Sequence, residues 1–315
     1  MENNVFPTVA LANGVAIPRM GFGCADFPER PVLEKAVAAG LEAGYRFFDN
    51  APFYRTEAQI GAALKASGIN RSELFISTKL PNSCHGLEDA LKAFDRSLRT
   101  MGLDYFDMYL IHWPCPKQGK YTEAWRALEK LYKSGLIRAI GVSNFQEKHL
   151  ETIFEMAEIR PMVNEIECNP YLSVAAQRRF HAKHGVHTVA WFPLGGPIGA
   201  IEPPASGIVD ESDPIQAVLA EIRKANLNKK VLLKDETLAA IAAKCGKSVA
   251  QIILRWHIES DIIPIPKSMK PERLFENSRV FDFALTAHDK AAVDALDHNR
   301  RLGPDPDLNE DLAVS

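Results

Sequence analysis

The sequence predicts an α/β chain folded as one (β/α)8 TIM barrel, and three observations carry that expectation. Eight short runs of apolar, β-type residues alternate with amphipathic stretches of helical period. Runs that are apolar on both faces belong to parallel strands covered by helices. The C-terminal ends of the first seven runs recur every 24 to 33 residues, about one βα unit each. The chain has 315 residues, 46% hydrophobic and 24% charged, an ordinary globular balance that excludes a disordered chain. Two domains of about 150 residues would also fit that length. A barrel takes about 250 residues as one unit, so residues 1–315 are expected to form a single domain.

Taken in order, Val9 to Ile17 alternates around Asn13-Gly14, a strong hairpin signal, so a β-hairpin precedes the barrel. Strands are expected at Met20–Cys24, Arg46–Ala51, Leu74–Leu80, Tyr105–Trp113, Ile137–Ser143, Met162–Glu167, Val186–Trp191 and Ile262–Pro266. Pro31 suits the first turn of a helix that puts Leu33, Val37 and Leu41 on one face. Leu87, Leu91, Phe94 and Leu98 mark a second helix, and Trp125, Leu128 and Leu131 a third. Leu150, Ile153 and Phe154 mark a fourth, and Val249, Ile252, Ile253 and Trp256 a later one. From Trp191 to Lys267, just after the eighth strand, the step is 76 residues, about 40 more than one unit needs. The excess, from Gly195 to Leu232, begins with Gly195, Gly196, Pro197, Gly199, Pro203, Pro204 and Gly207 and reads as an enlarged loop. Ile215 to Arg223 reads as a short helix within it. A loop this long on the face after a strand is usually functional.

Lys plus Arg is 37 and Asp plus Glu 40, a net charge of −3. That leaves no electrostatic footprint for nucleic acid or an anionic membrane, so any bound anion must be held by a local cluster. The N-terminal residues lack the basic and apolar segments of a signal peptide, and no run of 18 apolar residues exists. The five cysteines (Cys24, Cys84, Cys115, Cys168, Cys245) lie far apart without a CxxC pair, which favours a reducing compartment. The expectation is a cytoplasmic protein with a small-molecule partner, working as a monomer, with a dimer as the alternative.

In a barrel, chemistry sits at the C-terminal ends of the strands. The second strand ends in Asp49 and continues to Tyr54, the third ends in Lys79, the fourth in His112 and the fifth in Ser143 and Asn144. The sixth carries Asn164, Glu165 and Glu167, and Lys267, Ser268, Arg273, Glu276 and Asn277 follow the eighth. A buried lysine is expensive unless paired, and Asp49 is its natural partner. A phenol titrates near pH 10, and a neighbouring ammonium is expected to lower that value. Neutral His112 could bond the same substrate oxygen. Such a group suits polarising a carbonyl and protonating the resulting alkoxide, and it contains no nucleophile–base pair and no metal-ligand cluster.

At these residues the chain resembles the aldo-keto reductase family over nearly its full length. Gly44-Tyr45-Arg46-Phe47-Phe48-Asp49-Asn50-Ala51 with Tyr54 and Glu57 resembles the signature that holds the catalytic Asp and Tyr. Ile76-Ser77-Thr78-Lys79 carries the family's lysine, and Leu110-Ile111-His112-Trp113-Pro114 its histidine. Gly141-Val142-Ser143-Asn144-Phe145 matches the segment that binds the nicotinamide carboxamide. Ile265-Pro266-Lys267-Ser268 with Arg273, Glu276 and Asn277 matches the signature for the adenosine 2′-phosphate and adenine. The resemblance implies NADPH-dependent reduction of an aldehyde or ketone to an alcohol, with Tyr54 as proton donor and Asp49, Lys79 and His112 beside it. It also implies NADPH/NADP+ contacts from Cys24, Trp191, Phe192 and Leu194. Lys267 and Arg273 would favour NADP over NAD through charge-assisted bonds, and the long loop over 195–232 would cover the cofactor.

The chain departs from the pattern in several places. Glu165 stands where the family commonly has Gln; a carboxylate there accepts a bond from the carboxamide but cannot donate one. Phe192 replaces a usual Ser or Gly, and Ala25 stands where a Trp often lines the substrate pocket, widening it between Phe53 and Trp113. The short tail after Asp297 resembles bacterial members such as 2,5-diketo-D-gluconic acid reductases, which act on keto-sugar acids or small dicarbonyls. Two other readings are a barrel aldolase with a Schiff base on Lys79 and a non-catalytic NADP(H)-binding subunit.

Overall fold

The computed structural model describes residues 5–27, 29–196, 214–226 and 230–308. The hairpin forms where Asn13-Gly14 placed it: β1 (Thr8–Ala10) pairs antiparallel with β2 (Ala16–Pro18). Asn13 accepts the Val15 N–H through Oδ1 at 3.1 Å and donates from Nδ2 to Arg138 O at 2.8 Å, which ties the turn to the barrel.

The barrel strands are β3 (Gly21–Gly23), β4 (Phe47–Asp49), β5 (Phe75–Leu80), β6 (Phe106–Ile111), β7 (Ile137–Ser143), β8 (Val163–Glu167), β9 (His187–Trp191) and β10 (Ile262–Pro264). They pair in parallel in sequence order, and Gly23 N–H donates to Pro266 O at 3.1 Å, joining the first strand to the segment after the last. All eight expected strands are present. Every residue of β3–β6, β8 and β10 is buried, the condition that makes such runs apolar on both faces. His112 and Asn144 each fall one residue beyond a strand, because ladder pairing stops there.

The outer helices are α1 (Arg30–Glu42), α2 (Glu57–Ala66), α3 (Leu87–Met101), α4 (Tyr121–Lys133), α5 (Glu147–Met156) and α6 (Ala175–Lys183). After the long loop come α7 (Pro214–Asn226), α8 (Glu236–Cys245), α9 (Val249–Glu259), α10 (Pro271–Ser278) and α11 (Ala287–Asp294). Leu33, Val37 and Leu41 are buried as their spacing requires, and so are Trp125, Leu128 and Leu131. A Ser248–Gln251 capping box starts α9. Of the expected loop 195–232, residues 197–213 and 227–229 lie outside the described residues. The helix in it is longer than expected, and it packs on the short turn Pro52–Tyr54. Among the described residues no single helix is long and apolar enough to cross a membrane.

The helical ring closes tightly at Gly61 in α2, where a Cβ would lie 2.2 Å from Met101 O at the end of α3. Gly61→Ala is therefore expected to push α2 off α3 and cost about 1–3 kcal/mol. Chemical denaturation measures this, and an unchanged midpoint would refute the close approach.

Candidate active site

Asp49 ends β4 and Lys79 lies in the adjacent β5, where the register sets Asp49 against Ser77, two residues before the lysine. Both side chains are therefore brought to the C-terminal end of the barrel. Lys79 is fully buried, and its Nζ donates to Asp49 Oδ2 at 2.5 Å and Asn50 O at 3.0 Å. Glu165 Oε1, from β8, lies 3.3 Å from the same nitrogen. The second Asp49 oxygen accepts the Ser77 hydroxyl at 2.6 Å. Tyr54 ends the turn Pro52–Tyr54, which Arg55 closes in the left-handed conformation at φ 55°. The Lys79 ammonium lies 5.4 Å from the centre of the Tyr54 ring. The His112 ring meets Tyr54 edge-on at 6.1 Å. The four residues that strand-end reading singled out thus converge on one point.

Two electrostatic expectations are corrected. Burial pushes the Tyr54 phenol above its ordinary value, and the Lys79 ammonium lowers it by less than burial raises it. Asp49 and Glu165 further offset what the ammonium does, so Tyr54 holds its proton throughout the neutral range. Glu165 is the second correction. Burial, then the Asp49 charge, push its carboxyl up to about 8 against the pull of Lys79. One ammonium cannot neutralise two buried carboxylates. Glu165 is accordingly protonated near pH 7 and can donate a hydrogen bond, which an ionised Glu could not; its Oε2 is buried and has no hydrogen-bond partner among the described residues. Burial, then Lys79 and His85, hold His112 well below its ordinary value, so the imidazole is neutral. Burial acts to lower Lys79, but Asp49, Glu165 and Tyr54 outweigh it and keep the group charged.

Around this centre the expected cofactor residues fall into two groups. Ser143 Oγ donates to Glu165 O at 2.9 Å, and Asn144, at φ 63°, donates from Nδ2 to His112 O at 3.0 Å. Trp191 Nε1 donates to Asn144 Oδ1 at 2.9 Å, fixing the half-buried indole. Cys24 is buried, with its N–H on Asp49 O at 2.9 Å. Leu194 packs against both large core clusters. The Phe192 ring packs against the apolar cluster that holds Ala51, Phe53 and Leu302.

The second group follows β10. Lys267 donates to Asp26 O and lies 4.9 Å from the Phe27 ring. Ser268 and Asn277 are buried, and Arg273 is exposed on the first turns of α10. Glu276 accepts the Ser248 hydroxyl. An exposed guanidinium, an ammonium and a hydroxyl near one helix N-terminus suit a phosphate, so this donor set fits the phosphorylated end of a dinucleotide.

Phe53 and Trp113 are buried and Ala25 is half-buried. Sequence reasoning missed Leu219 and Ile222 of α7 and Leu302 of the C-terminal tail, which join Ala51 and Phe53 in the mouth cluster. Their place depends on chain paths that no local pattern encodes. Glu167 was visible as a strand-end acid, although no role attached to it.

Residues 19–298 match the model of the Aldo/keto reductase family. The chain is 41% identical to a glyoxal reductase of Bacillus subtilis over 98% of this chain and 99% of that one. It is 40% identical to a morphine 6-dehydrogenase of Pseudomonas putida over 95% of this chain and 94% of that one. A crystal structure of a Bombyx mori aldo-keto reductase in complex with NADP superposes with a TM-score of 0.81 at 32% identity, covering 95% of each chain.

The Glu165 shift fixes a stability trend. The ordinary carboxyl value is 4.5 and the folded value about 8, so below pH 4.5 both states are protonated and burial carries no ionic cost. As pH rises from there to about 8, the unfolded chain releases the proton first and stability falls. Glu165→Gln is expected to be more stable than the parent at pH 8 by about 2 kcal/mol, roughly 4 °C in Tm. The gap should close towards pH 5; calorimetry showing the same gap at both values would overturn the assignment.

Proposed function

The chain belongs to the aldo/keto reductase family, and on that premise we propose that it reduces an aldehyde or ketone to the alcohol with NADPH, Tyr54 delivering the proton. The observation that carries this reading is the Lys79 ammonium, held by Asp49 at 2.5 Å and set 5.4 Å from the Tyr54 ring, with neutral His112 beside it. NADPH, when bound, supplies the hydride equivalent. His112 donates a hydrogen bond to the carbonyl oxygen. Tyr54 gives up its proton as that oxygen becomes an alkoxide. An alkoxide is more basic than a phenolate, so the transfer is downhill even from a phenol that burial keeps protonated. Lys79 stabilises the phenolate left behind, and Asp49 keeps Lys79 charged and oriented.

Ser143, Asn144 and protonated Glu165 are suited to the carboxamide, Trp191 to the nicotinamide face, and Lys267, Ser268 and Arg273 to the 2′-phosphate. Likeness to a glyoxal reductase and the small Ala25 side chain packed against the Phe53 cluster support a small aldehyde or dicarbonyl as substrate. The aldolase reading is disfavoured because Lys79 is charged, fully buried and committed to three oxygen acceptors, which leaves no free amine to attack a carbonyl.

Tyr54→Phe is expected to lower aldehyde-dependent NADPH oxidation by about 10²–10⁴-fold while NADPH affinity, read by fluorescence quenching, stays within about two-fold. Retained turnover would remove Tyr54 as the donor. Arg273→Ala should raise the KM for NADPH about ten-fold or more, the value of one charge-assisted bond, and leave that for NADH unchanged. Equal changes for both cofactors would place the guanidinium away from the 2′-phosphate.

A further inference from the structure

Glu167 is a fully buried carboxylic residue at the end of β8 that plays no part in the proposed chemistry. Its two oxygens accept two consecutive backbone N–H groups from the C-terminal tail: Leu302 N–H on Oε1 and Gly303 N–H on Oε2, each at 2.8 Å. Arg301 Nη1 lies 4.0 Å from Oε2. The tail has no helix or strand of its own from residue 295 to 308. On one side it is pinned by Arg300, whose N–H donates to Tyr171 O at 2.9 Å and whose guanidinium lies 4.6 Å from the Tyr171 ring. On the other it is pinned by Asp307, which pairs with Lys148 at 2.6 Å. Between those two pins it crosses the barrel mouth, and there Glu167 grips it.

What the grip positions is the apolar cluster beside Tyr54. Leu302 sits in the apolar cluster with Ala51, Phe53, Leu219 and Ile222, and Tyr54 packs against that cluster. Gly303 lies against the Trp191 indole so closely that a Cβ would be 2.4 Å from Cη2. The same indole is held at Nε1 by Asn144. One carboxylate therefore sets both the height of Leu302 beside Tyr54 and the edge against which Trp191 rests. We propose that Glu167 is a positioning residue which, by clamping residues 302–303, fixes the substrate-side wall and so sets the size of the carbonyl substituent that is accepted. Because that wall is apolar, the substituent that reaches it is alkyl or aryl, whereas a dicarbonyl as small as methylglyoxal does not touch it. The specificity part of this inference rests on the reductase reading above; the clamp itself does not.

Two variants and two readouts test it. Glu167→Gln keeps one acceptor and turns an NH2 donor towards the other N–H, so the tail is released on one side. Gly303→Ala leaves Glu167 intact but forces the tail off Trp191. Hydrogen–deuterium exchange of peptides spanning residues 298–308 should be faster in both variants, and exchange at the parent rate would overturn the clamp whether or not any substrate is turned over. In steady-state assays with NADPH, both variants should raise the KM for nonanal and para-substituted benzaldehydes about ten-fold, the value of one bond to a charged acceptor. The KM for methylglyoxal and the kcat for every substrate should stay within about three-fold. A KM rise independent of substrate size, or a loss confined to kcat, would overturn the specificity role. NADPH binding by fluorescence quenching reports folding; if Glu167→Gln does not bind, Gly303→Ala decides the outcome alone. A parent enzyme that fails to oxidise NADPH with every carbonyl compound supplied would sink the reductase reading and leave the exchange result standing.

Discussion

A buried ammonium is the constraint on which the barrel mouth depends. Lys79 has no solvent, and an unpaired charge there would be prohibitive. Its acceptors come from two strands: Asp49, which ends β4, with Asn50 just after it, and Glu165 from β8. Only closure of the sheet brings β4 and β8, whose site residues are more than a hundred positions apart in the chain, onto one nitrogen. The pair is thus a requirement of folding and, at the same time, the source of the electrostatic field that acts on Tyr54. Removing the lysine would leave two acidic groups facing each other in the interior, which is why such clusters tolerate loss of a partner poorly.

Having two carboxyl groups around one ammonium also sets the protonation state of the whole cluster. Asp49 takes the short contact and a second bond from Ser77; Glu165 takes the longer one and keeps its proton near neutral pH. The Glu that replaces the family's usual Gln therefore behaves as a hydrogen-bond donor at pH 7, much as the amide would. That equivalence holds only while the carboxyl is protonated, so the substitution couples this site to pH in a way that an amide would not.

The chemical centre is built from residues close to the strand ends, but the walls around it are brought from far away. Helix α7 comes from the long loop after β9, and Leu302 and Gly303 come from the tail, 135 and 136 residues after the Glu167 that holds them. A rigid barrel carrying a variable mouth is the usual division of labour in this architecture. Here the junction between the two is a hydrogen-bonded carboxylate together with a glycine that permits close approach to an indole.

Much of the fold and the centre could be read from residues alone. The eight short β-type runs alternating with helical patterns could be identified as parallel strands, and the spacing of Leu33, Val37 and Leu41 identifies a helix, because period is a local property of the chain. Asp49, Tyr54, Lys79 and His112 were legible because a barrel delivers every strand end to one face. The direction of the Tyr54 and Glu165 shifts was not legible. It depends on how burial weighs against a shared ammonium, and a sequence lists charges without their surroundings. The paths of α7 and of residues 300–303 were likewise decided by tertiary structure alone. The sequence by itself determined which groups would meet. Their protonation and the shape of the cavity around them were set only when the folded chain removed water and closed the mouth.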